Sequence, residues 1–543
     1  MRFPETTPVL IVGGGPVGLT LSVLLSGHGV PHLLVEAHPG TSRHPKARGV
    51  SARSMEVFRR CGLAEEVRAA GLPASQVFFY RGRDLVDPDF VRTGVAAAPP
   101  EGAEPEGTAP EEGAAHTPTP GLICSQDALE DVLLREARRL APDGVRFATR
   151  LLSFTRRDGH VHAELEDRAT GGRHTVRADW LVGCDGASST VRETAGIAMA
   201  GPTGLGHFLS IRFEAPLGEV VADRASASYF LTAPGRGGFL AVDNDRNWIY
   251  QYPCDPQSPD TEAALTNHQV LARLVREAAG LPELAVTVLD TMTWRMDARL
   301  AEAYRRDRVL LAGDAAHVVP PTGGHGMNTG IGDADNLAWK LAAVTAGTAG
   351  EALLDTYGAE RRPVARQVID ISLANSRARS GYRIDDELLL TAAYRSTAVL
   401  TEPGAPERPP LDPGHEHPDS APGTRLPHLR LDGPPGTAST LDLVGPGFTL
   451  LTATGEPGWQ RQADTAAAAG LPVTVHPLPA PAWAEVSGLP VGGAVLVRPD
   501  GHIAWRSPRP ASEEGQLLGI LRLVLSAQEG PIPSARDARR FLS

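Results

Sequence analysis

Lysine is almost missing from this chain of 543 residues: Lys46 and Lys340 are the only two. Basic charge is carried by arginine instead, so arginine abundance cannot by itself mark phosphate sites and each guanidinium must be judged by position. Cysteine is scarce too. The four residues Cys61, Cys124, Cys184 and Cys254 stand far apart with no CxxC pair, which excludes a disulfide framework, gives no metal site and fits reduced thiols in a cytoplasmic protein. No apolar run reaches the roughly 20 residues a helix needs to cross a bilayer. Residues 8–35 come nearest, but consecutive glycines interrupt them and only Arg2 precedes them, so they read as core and not as a signal peptide. Basic residues are outnumbered, 52 against 64 acidic for a net charge of -12, which argues against nucleic acid or an anionic membrane surface as partner. A small-molecule partner remains.

A hydrophobic content of 42% can fill the cores of about three domains. PVLIVGGG reads as a buried strand running into a glycine turn, PVGLTLSVLLSGHG as a helix ending at Gly29, and PHLLVEA as a second strand, together a βαβ unit. Residues 97–120 are Ala, Pro, Glu, Gly and Thr, too poor in large apolar groups to offset their ordering entropy, and predict a mobile acidic loop. Order resumes with SQDALEDVLLREARRL, a helix capped by Ser125, and RADWLVGCDG, a strand entering a turn. ASYFLTA, GGFLAV and WIYQYP predict an antiparallel sheet with one wet and one dry face. RVLLAGDAAH and the helical DADNLAWKLAAVTAG then return the chain to the first domain. The resulting expectation is an α/β protein: a discontinuous Rossmann-like domain over 1–195 and 300–400, an antiparallel substrate domain over 196–299, a Pro/Gly-rich linker over 401–424 and a further α/β domain over 425–543.

Gly13-x-Gly15-x-x-Gly18 follows the first strand and opens a helix that begins at Pro16, so backbone amides can approach a pyrophosphate without Cβ obstruction. Glu36, ending the second strand, can accept hydrogen bonds from a ribose. Together they predict a dinucleotide site, without separating FAD from NAD.

Two further segments separate them. CDGAS (Cys184–Ser188) and RVLLAGDAAHVVPPTGGHGMNTGIGDADNLAWKL (Arg308–Leu341) resemble the class A FAD-dependent aromatic hydroxylases, typified by para-hydroxybenzoate hydroxylase, and most of all the branch that tailors aromatic polyketides. The resemblance spans essentially the whole chain and implies that the last domain is thioredoxin-like without its redox cysteines. It also implies non-covalent FAD, with the ADP half on Gly13, Gly15, Pro16, Gly18 and Glu36 and the ribityl chain on Gly313, Asp314 and Gln126. Asp185 is implied near the pyrophosphate and the transient NADPH contact, and Lys46 and Arg48 in a basic phosphate-contacting turn. Pro321, Gly324, Gly326, Met327 and Asn328 are implied against the flavin ring, at the positive end of the helix that follows. Read from the residues alone, Asp185 is equally a turn residue, Gln126 an exposed helix start, and Lys46 and Arg48 solvated charges. His325 is less usual for the family, and reads as filling space or hydrogen-bonding near the ring.

The implied chemistry is hydride transfer from NADPH to FAD, addition of molecular oxygen to give a flavin C4a-hydroperoxide, and transfer of one oxygen to an electron-rich polycyclic ring, with no metal and no catalytic triad. Tyr229, Tyr250 and Arg212 on the expected sheet are the candidates to meet phenolic or quinone oxygens, or else core tyrosines and a surface arginine. Baeyer-Villiger oxygenation of a ketone, and a non-catalytic flavoprotein that sequesters an aromatic drug, stand as alternatives. A monomer and a homodimer are equally compatible with the sequence.

Overall fold

The computed structural model describes residues 3–42, 44, 46–94, 116–233, 235–255, 257–258, 267–377, 385, 387–402, 404–413, 419–432, 438–512 and 514–526. Continuous apolar stretches become central strands, because a parallel sheet covered on both faces leaves no wet side. Val145–Arg146, His32–Val35, Thr6–Val12, Arg173–Gly183 and Val309–Leu311 lie parallel in that order, with Arg305–Arg306 added antiparallel at the edge. The crossover from Thr6–Val12 to its neighbour His32–Val35 is the helix Pro16–Gly27, where Pro16 occupies the first turn and so removes no bonded N–H. The helix stops where Gly29 takes φ +71°.

Ser125 has the extended backbone of an N-cap before the helix Gln126–Leu140, but its side chain makes no capping bond, contrary to the sequence expectation. The helix expected over DADNLAWKLAAVTAG starts earlier, at Gly326, and takes in Gly330 and Gly332. Most of the stretch expected as a mobile acidic loop lies outside the described residues. Its described end, from His116 onward, is packed: Thr117 is buried and its hydroxyl donates to Glu56 Oε1 at 2.7 Å.

A second, seven-stranded sheet holds Thr287–Met296, Gly206–Glu214, Asn247–Pro253, Gly238–Ala241, Ser228–Leu231, Phe78–Gly82 and Val91–Gly94, in that order. Its last two strands come from before residue 95, outside the 196–299 span read from the sequence, because Phe78–Gly82 pairs parallel with Ser228–Leu231. The helix His268–Ala279 covers one face. The C-terminal part is a four-stranded mixed sheet, Val473–Leu478, Phe448–Ala453, Ala494–Val497 and Ile503–Ser507, flanked by the helices Pro457–Ala468 and Gln516–Val524, a thioredoxin-like arrangement. No cysteine follows Cys254, so this unit has no thiol for disulfide exchange. No helix among the described residues is long and apolar enough to cross a membrane.

Residues 401–424, a linker by composition, are tied down where described. Gly423 N–H donates to Ile503 O, Tyr394 N–H donates to Gly423 O, and Leu411 is fully buried beside Val364 and Val368. Beneath this strap lies a buried cluster of charge. Glu360 accepts from Arg498 through both oxygens at 2.7 and 2.9 Å, from Lys340 Nζ at 2.8 Å and from Asn336 Nδ2 at 2.7 Å. Burial works against the Glu360 carboxylate, yet the Arg498 and Lys340 charges outweigh it and hold its pKa well below the usual range. Burial likewise draws the Lys340 ammonium down to about 8. Removing one member of such a cluster strands the others without water or counter-charge. Glu360→Ala is therefore expected to destabilise the fold by about 3–5 kcal/mol, read as a lowered urea midpoint, whereas truncating the exposed Glu65 leaves the midpoint in place.

Candidate functional site

The glycine loop after Thr6–Val12 uses its glycines for different purposes. Gly13 has φ +113°, and a Cβ there would sit 2.3 Å from the Cys184 carbonyl oxygen. A Cβ on Gly18 would sit 2.0 Å from Gly13 O. These two let strand, helix and the Cys184 turn close on one another. Gly14, outside the GxGxxG pattern, is equally constrained: its Cβ would be 2.8 Å from Glu36 Cβ, and its N–H donates to Glu36 Oε2 at 2.7 Å. Gly15 is the open one, with nothing nearer its missing Cβ than Glu130 Oε1 at 4.0 Å. The first-turn amides of Pro16–Gly27 thus face a cleft kept clear of side chains, the cradle an anionic pyrophosphate needs.

A second helix start meets the first. Gly313 has φ +62° with its Cβ position 2.9 Å from Val17 Cγ2, and the Gly330 Cβ position is 2.5 Å from the same methyl. Asp314 follows Gly313 with its side chain exposed to the cleft. The surrounding protein raises its carboxyl pKa by desolvation, against His317 and Lys46, which lower it. Behind it Asp333, fully buried, accepts from Gly313 N–H at 3.1 Å and Arg361 Nε at 2.8 Å, and lies 2.7 Å from His317 Nε2. Burial opposes the Asp333 carboxylate, but the His317 and Arg361 charges win and lower its pKa. Asp333 fixes the turn that presents Asp314.

The remaining expected cofactor residues divide. Gly324 has φ +73°, is exposed and has no atom within 4 Å of its Cβ position, so backbone is bare where the segment turns into its helix. Gly326 begins that helix, Met327 is half-buried, and Pro321 is exposed. The Asn328 side chain accepts from Ser51 N–H and Ser54 Oγ and donates to Gly49 O and Gly324 O, so it braces the segment. His325 is buried against the Cα hydrogens of Gly323, and burial lowers its pKa to about 4, leaving it neutral. Asp185 spends its carboxylate locally, accepting from Ser189 Oγ and Val191 N–H at the start of Thr190–Ala195. Gln126 accepts from Ala47 N–H at 3.2 Å and donates to Glu130 at 2.7 Å. Lys46 is exposed; burial raises the carboxyl pKa of both Asp314 and Glu130, and the Lys46 charge works against that rise. Arg48 donates to Ala227 O, Ala241 O and Ser228 Oγ of the second sheet.

Strand register corrects the expected substrate contacts. Alternate residues of a strand face opposite ways, and Tyr80, Tyr229, Phe239, Tyr250 and Ile211 form one row across the second sheet. That row packs with Leu271 and Val275 of the covering helix. Tyr229 is fully buried there, its hydroxyl donating to Asn244 Oδ1 at 2.8 Å and accepting from Ser226 N–H at 2.9 Å. Tyr250 donates to Arg236 O at 2.6 Å. Both are core tyrosines with satisfied hydroxyls, on the face that the helix covers. Arg212 lies in the alternate row with Phe79, Ser228, Leu240 and Ile249. This opposite face is joined to the nucleotide side by Arg212 to Asp127 at 3.4 Å and by Arg48 to Ser228. Glu130, Asp333, Ser210 and Gln251 escaped sequence reading, since nothing local distinguishes them; the run of three glycines could have marked Gly14.

Two alanines separate the roles of the loop glycines. Gly13→Ala is expected to destabilise the protein, about 1–3 kcal/mol from its backbone conformation alone, and to lower the thermal midpoint with or without FAD. Gly15→Ala leaves the apoprotein midpoint unchanged and weakens FAD by at least the order of 1.4 kcal/mol, or tenfold, in a fluorescence titration. Asp314→Ala is expected to behave like Gly15→Ala.

Comparison with known proteins agrees with this geometry along the full chain. The FAD binding domain family matches residues 6–372, and the aromatic-ring hydroxylase C-terminal family matches residues 419–527. The chain is similar to the tetracenomycin A2 monooxygenase-dioxygenase of Streptomyces glaucescens, with 38% identity over 97% of this chain and 98% of that one. Among solved structures, the flavin-dependent monooxygenase PieE, in complex with FAD and substrate, superposes with a TM-score of 0.85 at 32% identity, covering 96% of this chain and 99% of that one. A ternary complex of aklavinone-11 hydroxylase with FAD and aklavinone gives a TM-score of 0.82 at 34% identity, covering 97% and 100%. Matched from the glycine loop to the thioredoxin-like sheet, the chain belongs to the FAD-dependent aromatic-ring hydroxylases, as a flavin monooxygenase of the polyketide-tailoring branch.

Proposed function

We propose that this enzyme uses NADPH and molecular oxygen to hydroxylate a polycyclic phenol or quinone of the aromatic polyketide type, bound between the seven-stranded sheet and the flavin cleft. The observation that carries this reading is the sheet face turned toward the nucleotide side, where Phe79, Phe230, Leu240 and Ile249 spread over neighbouring strands among the polar Arg81, Ser210, Arg212, Ser228 and Gln251. An extended apolar surface with a few convergent polar groups fits a fused ring system carrying phenolic or carbonyl oxygens. The relatives named for tetracenomycin and aklavinone chemistry support the same class.

In this reading the flavin unit comprises 1–195 and 300–400, and the substrate sheet comprises 196–299 together with the strands between 78 and 94. Bound FAD supplies hydride acceptance and oxygen activation, which no side chain can provide. The protein binds and orients. Gly15 leaves room for the pyrophosphate at a helix N-terminus, Glu36 offers its remaining lone pairs to the adenosine ribose, and Asp314 accepts from ribityl hydroxyls. The second helix start, at Gly324 to Gly326, sets a positive dipole end against the ring edge that gains negative charge on reduction. The apolar sheet face excludes water from the reacting atoms. His325, neutral by burial, fills space beside this segment without adding charge.

The test is a panel of tri- and tetracyclic phenols and naphthoquinones, scored for stimulated NADPH oxidation and for incorporation of one labelled oxygen atom from oxygen gas. Polycyclic compounds are expected to give coupled oxygenation and para-hydroxybenzoate little or none. Coupled hydroxylation of a monocyclic phenol, with no polycyclic response, would overturn the proposal, and labelled oxygen inserted beside a ketone carbon would assign Baeyer-Villiger chemistry instead.

A further inference from the structure

His44 and residues 46–48 lie between the nucleotide cradle and the substrate sheet and are bonded to both. On the cradle side, Ala47 N–H donates to Gln126 Oε1 and Ala47 O accepts from Gln126 N–H at 2.9 Å. The Gln126 amide in turn donates to Glu130, the carboxylate nearest the open face of Gly15. On the sheet side, the Arg48 guanidinium reaches two neighbouring strands at once. NH1 donates to Ala227 O at 2.7 Å and Ala241 O at 2.9 Å, and NH2 to Ser228 Oγ at 2.8 Å.

His44 makes the second attachment, with Nε2 2.6 Å from Ser210 Oγ. Ser210 Oγ also accepts from Gln251 Nε2 at 3.0 Å, and Gln251 Oε1 accepts from Trp294 Nε1 at 2.9 Å, so one line of bonds crosses three adjacent strands. The other ring nitrogen, Nδ1, is buried without a hydrogen-bond partner and lies 3.7 Å from Asp290 Oδ2. A histidine that is 5% exposed and held by one nitrogen is placed for geometry, since burial already disfavours its charged form.

We propose that Arg48 and His44 are positioning residues that fix the substrate sheet against the flavin cleft, and that Arg48 does this work instead of contacting a cofactor phosphate. The consequence is a separation of effects. Loss of the fork removes the guanidinium from both carbonyls, leaving Ala227 O with Ala241 N–H at 3.2 Å, and loosens the ends of these two strands. Cofactor affinity stays, because the cradle residues are untouched. Productive transfer falls, because displacement by about 1 Å can cost on the order of a hundredfold in rate.

The experiment compares Arg48→Met, Arg48→Lys and His44→Leu with the parent holoenzyme. FAD affinity is titrated by flavin fluorescence, hydrogen exchange is followed at Ser228–Leu231 and Gly238–Ala241, and product formed per NADPH consumed is measured with the naphthoquinone or polycyclic phenol that stimulates the parent. Expected for Arg48→Met are FAD affinity within about threefold, a shift under 1 kcal/mol, exchange faster by roughly tenfold or more in those strands, and product diverted to hydrogen peroxide. Arg48→Lys should fail to rescue, since one ammonium cannot replace a planar fork bridging two strands. His44→Leu, which removes a single bond, should shift exchange and product yield in the same direction by less, and stands in if Arg48→Met does not fold. FAD affinity lost tenfold in Arg48→Met and restored in Arg48→Lys, with exchange unchanged, overturns the proposal and makes Arg48 a phosphate contact. The product arm rests on the hydroxylase reading; the affinity and exchange arms do not, so the two can fail separately.

Discussion

Val17 is where the architecture closes. Its side chain is met by the bare Cα atoms of Gly313 and Gly330, at distances no Cβ could share, while Gly13 and Gly18 admit the Cys184 carbonyl and each other on the far side of the same helix. Four glycines thus allow three chain segments, far apart in sequence, to converge at van der Waals contact. Everything that addresses the cofactor follows from this approach. Two helix N-termini open toward one cleft, and Asp314 is delivered beside them by the Gly313 turn. A methyl group at any of these positions would wedge the segments apart and lose the alignment before touching a ligand.

Close packing of backbone needs support from behind, and buried charge provides it. Asp333 ties the Gly313 turn to His317 and Arg361, and Arg361 also donates to Thr329 O in the first turn of the helix Gly326–Thr345. Further along that helix, Asp335, Asn336 and Lys340 enter the cluster around Glu360, Arg498 and Asp500. Arg53 joins it from the helix Ala52–Arg60, donating to Asp335 and to Asp500 O. Such networks add little net stability over apolar packing, but they penalise misplacement heavily because every stranded charge is costly. The thioredoxin-like unit, without thiols, contributes through Arg498 and Asp500 as a structural brace against the helix Gly326–Thr345.

The substrate side is governed by a different rule, the two-residue period of a strand. One row of the seven-stranded sheet, from Tyr80 to Ile211, is sealed by the helix His268–Ala279, and the alternate row, from Phe79 to Arg212, is free to face the nucleotide side. Tyr229 and Tyr250 serve the core, while the proposed substrate surface lies on the row whose members look less chemical.

The sequence by itself determined the elements and the cofactor. Strand-glycine-helix order, Glu36 at the next strand end and the GD segment at Asp314 are local patterns, each imposed by a backbone requirement that only certain residues meet. The thioredoxin-like unit was legible only through the family resemblance, and its lack of thiols from the absence of cysteine after Cys254. Tertiary structure alone decided which face each strand presents, since the pattern in SYFL is compatible with either direction until a covering helix selects one. It alone showed that Phe78–Gly82 pairs into the later sheet, that the described residues of 401–424 are strapped down, and that Asp185 and Asn328 spend their side chains on nearby protein groups. Arg48 shows the limit most clearly. Its charge is written in the sequence, but its partners include two carbonyls distant in the chain, and where a guanidinium forks is settled by which acceptors the fold brings within its reach.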